Sequence, residues 1–192
     1  MSTLRGPGQR AGLDRGQVLK AARAVLVSGG VERLSMRAVA RSLGVAPNAL
    51  YNYVADKDEL LDAVLDDVLG EVKVPSRSHI EREPLEAVRA IMLSSYEVLI
   101  AHPGLMSAYF DRQGARGIQA QRLGVITLDA LARAGLDQHH ASEALRVLIV
   151  NTMGFAAISA RPDPSQPGVI STAELRRNFR SSLDWLLKGI TS

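Results

Sequence analysis

A chain of 192 residues, nearly half of them hydrophobic, carries enough apolar side chain for one large or two small domains. It has no cysteine, which excludes disulfides and thiolate metal sites and agrees with a reducing cytoplasm. The net charge of +3 is unevenly spread, with +6 on residues 1–57 and −3 on residues 58–192, and a basic head on an acidic body suits a polyanion partner.

No basic start followed by an apolar run opens the chain, so no signal peptide is expected and a cytoplasmic location is. The longest apolar stretch, Val147 to Ala160, is interrupted by Asn151, Thr152 and Ser159. It falls short of the ~18 residues of a membrane span, so a buried helix and no membrane partner are expected.

Residues 1–12 hold Arg5, Arg10, Pro7 and three glycines, with little to bury. They predict a flexible basic arm, of a kind that can enter a minor groove. Asp14 and Gln17 have capping-box spacing and open a first helix, with Leu13 and Val18 at staple spacing. Val18, Leu19, Ala22, Val25 and Leu26 form its apolar stripe, and Gly29-Gly30 ends it.

The stretch Ser35–Lys57 reads as two short helices joined by a tight turn. Ser35 is an N-cap, and Met36, Val39, Ala40 and Leu43 repeat at helical spacing. Gly44 stands where a helix ends at positive φ, and Pro47 suits the first turn of the next helix. Ala49, Leu50 and Val54 can face inward, which leaves Asn48, Tyr51, Asn52 and Tyr53 as a polar, aromatic outer face. A helix that short is not stable alone and needs a scaffold. Helix–turn–helix readers of DNA are built in this way.

Asp56 and Glu59 repeat the capping box and open a fourth helix that runs to about Val72, acidic outside through Asp58, Asp62, Asp66 and Asp67. Residues 73–83 read as a linker. Further helices are expected over about Pro84–His102, Leu105–Arg112, Ile118–Ala134 and, after Asp137, to about Ala160. Residues 161–168 hold three prolines and predict an exposed loop. A ninth helix begins at Ser171. No strand pattern is present. The fold class is all-α with about nine helices: an arm over 1–12, a three-helix helix–turn–helix domain over 13–57, and a helical body over 58–192.

Residues 13–65 resemble the DNA-binding domain of the TetR family of bacterial transcriptional regulators. The resemblance rests on a capped first helix, on G-V-E-R-L-S-M-R-A-V-A-R-S-L-G-V, and on A-L-Y-N-Y-V-A-D-K-D-E-L-L. The form L-Y-N-Y-V resembles the tetracycline-repressor branch. The rest of the chain resembles the family in size, helix count and helix order.

The resemblance implies that the helix over about 47–53 lies in the major groove of double-stranded DNA. Asn48 is then the candidate for base readout, because an amide bonds bidentately to adenine. Tyr51 and Tyr53 match the family's aromatic positions, where a hydroxyl can meet phosphate while the ring packs. Lys57 matches the family lysine that meets the backbone. Arg37 can reach a phosphate or a guanine edge, and Ser35 a phosphate. Asn52 shares the outer face. Pro47 and Ala49 stand where many relatives carry hydroxyl or amide side chains facing DNA, so the identity of the base contacts stays open and the docking mode does not.

The family dimerises through its last two long helices. Here Leu145, Leu148, Ile149, Thr152, Ala156, Leu183, Leu186 and Leu187 are candidates for that homodimer seam, with Trp185 beside them. The family's cavity for a small-molecule effector lies among helices four to eight. Met92, Tyr96, His102, Met106, Tyr109, Phe110, Asn151 and Phe155 are candidates for its lining, against plain core packing for each. The implied function is a DNA-binding regulator, a repressor that holds a palindromic operator as a homodimer and is released by an effector. No cofactor, metal site or catalytic residue is implied. The alternatives are a small all-α enzyme and a helical adaptor that binds protein and no DNA. The first would need a catalytic cluster, and no phosphate loop, H-E-x-x-H or G-x-S-x-G is present. The second would not need the basic head.

Overall fold

The computed structural model describes residues 13–160 and 169–190. The expected arm over 1–12 and loop over 161–168 lie outside the described residues. Within the described residues the chain is all-α, with no strand. It divides into two compact units, Met1–Val64 and Leu65–Ser192.

The first unit opens with α1 (Arg15–Arg33). The Asp14 carboxylate accepts the Gln17 N–H at 2.7 Å, and the Gln17 side chain accepts the Asp14 N–H at 3.1 Å. These are the two reciprocal bonds of a capping box. Gly29-Gly30 predicts the end of this helix, and the helical backbone does break at Gly30, where φ is 72° and ψ −177°, before a short further turn that runs to Arg33.

Helix α2 (Met36–Leu43) starts at Ser35, whose hydroxyl accepts the Ala38 N–H at 3.1 Å. It ends at Gly44, with φ 66° and ψ 32°. There the Gly44 N–H donates to the Arg41 carbonyl at 3.2 Å and the Val45 N–H to the Ala40 carbonyl at 3.0 Å. This bond pair closes a helix through a left-handed residue. The chain then makes one 3-10 helix, Pro47–Asn52, where an α-helix is expected from the sequence. Helix α3 (Lys57–Leu69) follows, and the boundary between the units falls inside it. Asp56 accepts the Glu59 N–H at 2.8 Å, while the Glu59 carboxylate reaches back to the Ala55 N–H at 2.6 Å, one residue earlier than a capping box requires. Val18, Leu26, Val39, Leu50 and Leu60 are fully buried and form the core of this unit.

The second unit holds the last turn of α3, then α4 (Arg77–Arg82), α5 (Pro84–Ala101), α6 (Met106–Asp111), α7 (Ile118–Arg133), α8 (Gln138–Ser159) and α9 (Thr172–Ile190). Helix α4 corrects the linker reading of 73–83. The Ser76 hydroxyl accepts the His79 N–H at 3.3 Å and Ile80 is buried, so a cap and one apolar anchor suffice for a short helix.

Helix α5 is central and packs against α4, α7, α8 and α9. Two ion pairs join it to α9: Arg176 to both oxygens of Glu97 at 2.7 and 2.8 Å, and Arg89 to Asp184 at 2.7 Å. Each pair is part-exposed and contributes at most about 1 kcal/mol. The buried stripe Leu175, Phe179, Leu183 and Leu187 contributes more, at roughly 1.5–3 kcal/mol per large side chain. The ion pairs set the register of α9; burial holds it down. Helix α8 is the one described helix long and apolar enough to cross a bilayer. Its inner stripe, Ala141, Ala144, Leu148, Thr152 and Ala156, is buried, and the helix packs against α5, α7 and α9.

Two glycines allow a test of opposite signs. At Gly44 an added Cβ meets nothing, so Gly44→Ala costs only the left-handed backbone, about 1–2 kcal/mol. At Gly124, inside α7, an added Cβ also meets nothing and φ is helical, so Gly124→Ala stabilises by about 0.5–1 kcal/mol. Denaturant melts of both variants check this. A stable Gly44→Ala or a weakened Gly124→Ala contradicts the reading of these backbones.

Candidate functional site

Two sites lie in separate units. The first is the outward face of the helix–turn–helix. Within the 3-10 helix, Leu50 is fully buried and Ala49 half-buried, which turns Pro47, Asn48, Tyr51 and Asn52 to the surface. The Tyr51 ring is 53% exposed, which is unusual for a large aromatic without a partner. Arg37 and Arg41 are exposed on α2, and Lys57 is half-buried at the start of α3.

Two side chains on this face already have work to do. The Tyr53 hydroxyl donates to the Leu13 carbonyl, and its ring is half-buried. Tyr53 therefore ties the start of α1 to the reading segment, and its hydroxyl proton is not turned to the surface. Ser35 uses its oxygen as the α2 cap, which leaves its hydroxyl proton able to donate.

The second site is a cavity of ≈ 120 Å³ in the body. Its wall comes from Leu69 at the end of α3, from α5, Tyr109, Gly114, Ala115, α7 and α8. Of the eight side chains expected there, Met92 and Tyr109 line it. Tyr96 is buried elsewhere: its hydroxyl bonds Ser159 at 2.8 Å and its ring stacks on Phe179 at 4.5 Å. Phe155 packs on the same Phe179 ring at 5.5 Å. Asn151 bonds Ser182 at 3.1 Å, and His102 pairs with Glu71 at 3.0 Å. Met106 is buried outside the lining, and Phe110 is 47% exposed. Ser95, Gly124 and Thr127 line the cavity without having been expected. Gly124 carried a signal, because a glycine inside a helical pattern marks special packing.

The seam candidates also divide. Leu148, Thr152, Ala156, Leu183 and Leu187 are buried within the single chain and so face its own core. Leu145, Ile149 and Thr152 line the cavity, and Leu186 is half-buried. The outward apolar side chains of α8 and α9 are Val147, Ile149, Val150 and Ile158, at 47, 41, 70 and 62% exposure, and Trp185 at 76%, so of the expected seam residues Ile149 is exposed. At Gly154, on the same side of α8 by spacing, an added Cβ meets open space.

The end of α3 is tied to the cavity wall. The Tyr109 hydroxyl donates to the Leu65 carbonyl at 2.6 Å. The Asp66 carboxylate accepts the Gln119 and Ala120 N–H groups at 3.0 and 2.9 Å, capping the start of α7. The acidic outer face expected for this helix loses Asp66 to that contact. Gly117 makes room for it, since a Cβ there would lie 2.3 Å from Asp66. At the start of α8, Asp137 accepts the His140 N–H at 2.9 Å. That bond and the one from the His140 ring hold the Asp137 carboxyl below its ordinary range. Among the described residues no group of three acidic or imidazole side chains is placed to hold a metal.

Residues 18–64 match the family model described as bacterial regulatory proteins, tetR family. The chain is 34% identical over 125 residues to an HTH-type transcriptional regulator of Saccharopolyspora erythraea, covering 64% of this chain and 51% of that protein. It is 39% identical over 114 residues to the HTH-type transcriptional repressor DrrR1 of Streptomyces coeruleorubidus, covering 56% and 39%. The chain thus spans about half the length, or less, of these curated relatives. Among solved structures it is similar to Mycobacterium smegmatis BioQ, with a TM-score of 0.73 at 27% identity over 93% of this chain and 98% of that one. A second BioQ structure contains its natural double-stranded DNA operator, with a TM-score of 0.70 at 26% identity over 94% and 99%.

Proposed function

We propose that the chain, whose residues 18–64 match the tetR family of bacterial regulatory proteins, is a cytoplasmic DNA-binding transcriptional repressor of that family, acting as a homodimer on a palindromic operator and released by a small-molecule effector. The observation that carries the DNA reading is the exposed face of the 3-10 helix, Asn48, Tyr51 and Asn52, on the basic head. The relatives named as regulators and the operator-bound BioQ support it.

In this reading the 3-10 helix enters the major groove. Asn48 reads an adenine edge, Tyr51 and Lys57 meet the backbone, and Arg37 reaches a phosphate or a guanine. Tyr53 holds the segment on α1. One short segment reads too few base pairs, and two copies one DNA turn apart, about 34–36 Å, read a palindrome. The outward apolar residues of α8 and α9 support the dimer, because Val150, Ile158 and Trp185 have nothing to cover them in a single chain. Effector release is a population shift: a ligand that prefers the cavity of the DNA-free form weakens operator binding by its differential affinity. Helix α3 connects the two events, through the Tyr109 and Asp66 bonds at its end.

Titrations on DNA upstream of the protein's own gene, at several salt concentrations, test the reading segment. Lys57→Ala should weaken operator and random DNA alike and reduce the salt slope by about 1. Asn48→Ala should cost about 1–3 kcal/mol on the operator and little on random DNA, and Tyr53→Phe should leave base preference unchanged. Equal losses on both DNAs for Asn48→Ala would remove its readout role, and no binding at physiological salt would remove the DNA function.

Light scattering tests the seam. The chain should be a dimer at micromolar concentration, and Trp185→Glu should weaken self-association at least about tenfold without lowering helix content. A monomeric wild-type chain would contradict the homodimer.

Reciprocity tests release. Any compound that raises the melting temperature of the free protein should lower operator affinity, and operator DNA should lower affinity for that compound by the same factor. A stabilising compound that leaves operator affinity unchanged counts against release.

A further inference from the structure

The wall of the body cavity constrains what it can hold, and the inference rests on reading that cavity as the effector site. No carboxylate, amine, guanidinium or imidazole lines it. Its four hydroxyls are all committed as donors: Ser95 to the Ile91 carbonyl at 2.8 Å, Thr127 to Leu123 at 2.8 Å, Thr152 to Leu148 at 2.8 Å, and Tyr109 to Leu65 at 2.6 Å. The Gly114 N–H, from the one non-helical stretch of the wall, donates to the Tyr109 carbonyl at 2.7 Å.

A charged ligand would therefore give up water at the wall and find no counter-charge there, which is the costly case of burial. The remaining lone pairs on the Ser95 and Thr127 hydroxyls can accept a bond, so a ligand with a single O–H or N–H is tolerated. The cavity volume, ≈ 120 Å³, is of the same order as an apolar protein cavity of about 150 Å³ that takes up benzene, and here the wall is open to solvent beside Ile149, which is 41% exposed. At Gly124 the wall lacks a side chain and an added Cβ meets nothing within 4 Å, so the helix backbone of α7 itself faces open space. We propose that this cavity binds a small, uncharged, mainly hydrocarbon molecule of the size of a monosubstituted benzene, and rejects a carboxylate of the same size.

Toluene and benzoate are a matched pair that differs in this respect. With the full chain and no DNA present, toluene should raise the melting temperature in a concentration-dependent way, and benzoate at equal concentration should not. Gly124→Leu fills the open space from α7. It should weaken toluene binding at least about tenfold while its own melting temperature reports that it folds. Should Gly124→Leu fail to fold, Ala120→Leu fills the same space from the next turn and should give the same loss.

Benzoate stabilising as much as toluene, no shift with toluene at its solubility limit, or an unchanged toluene shift in a folded filling variant would each overturn the proposal. Operator binding is measured apart. Retained operator binding without a toluene shift removes the ligand class alone, whereas toluene binding without operator binding removes the regulator reading and leaves the ligand class standing.

Discussion

A 3-10 helix of six residues cannot hold its own shape, and the first unit is organised around that fact. Its hydrogen bonds have poorer geometry than those of an α-helix, and the segment is far below the length at which a helix persists in water. Its order comes from outside. Leu50 and Val54 are buried under it, the Tyr53 hydroxyl is bonded to the Leu13 carbonyl, and the Gly44 turn fixes where it starts. The left-handed Gly44 lets Val45 turn its N–H back to Ala40, and that bond sets the direction in which the chain leaves α2. The exposed side chains Asn48, Tyr51 and Asn52 are placed by a backbone conformation three residues before the segment begins.

The body has a comparable economy at the end of α3. Tyr109 is at once a piece of cavity wall and the donor to the Leu65 carbonyl. Asp66 supplies a charge to the start of α7, where two backbone N–H groups have no helical partner. A carboxylate so placed contributes about 0.3–1 kcal/mol, and up to about 2 when partly buried. Ala120, whose N–H Asp66 accepts, is also a wall residue. The cavity wall and the end of α3 therefore share the same atoms.

The head was legible in the sequence because its signals are local. A cap, a box partner three residues on, a glycine at a left-handed position and a proline at a first turn each act within a few bonds, and Asp14, Ser35, Gly44 and Pro47 all stand as their chemistry requires. The sites of the body were less legible, for a physical reason seen in α8. Val147, Leu148, Ile149 and Val150 are four apolar residues in a row, and four successive residues cover the whole circumference of a helix. Periodicity then says that the helix is apolar and not which side faces in. Leu148 turned to the core, Ile149 to the open edge of the cavity, and Val147 and Val150 to the surface. The same ambiguity placed core residues in the expected seam. The short α4 was hidden for another reason, since one cap and one buried isoleucine leave no periodic pattern to read.

The cavity wall has a cost of its own, because Gly124 costs up to about 1 kcal/mol of helix propensity relative to alanine. Against a total stability of about 5–15 kcal/mol for a folded domain, that is a measurable share. An alanine at 124 would remove it without a clash. Every lining hydroxyl already bonds a carbonyl, so the wall leaves no buried side-chain donor unpaired. A ligand entering such a space displaces little water and restores the dispersion contacts that the lining lacks. What such a ligand could do to α3 is set by its differential affinity for two forms of the protein and not by how tightly it fills the space.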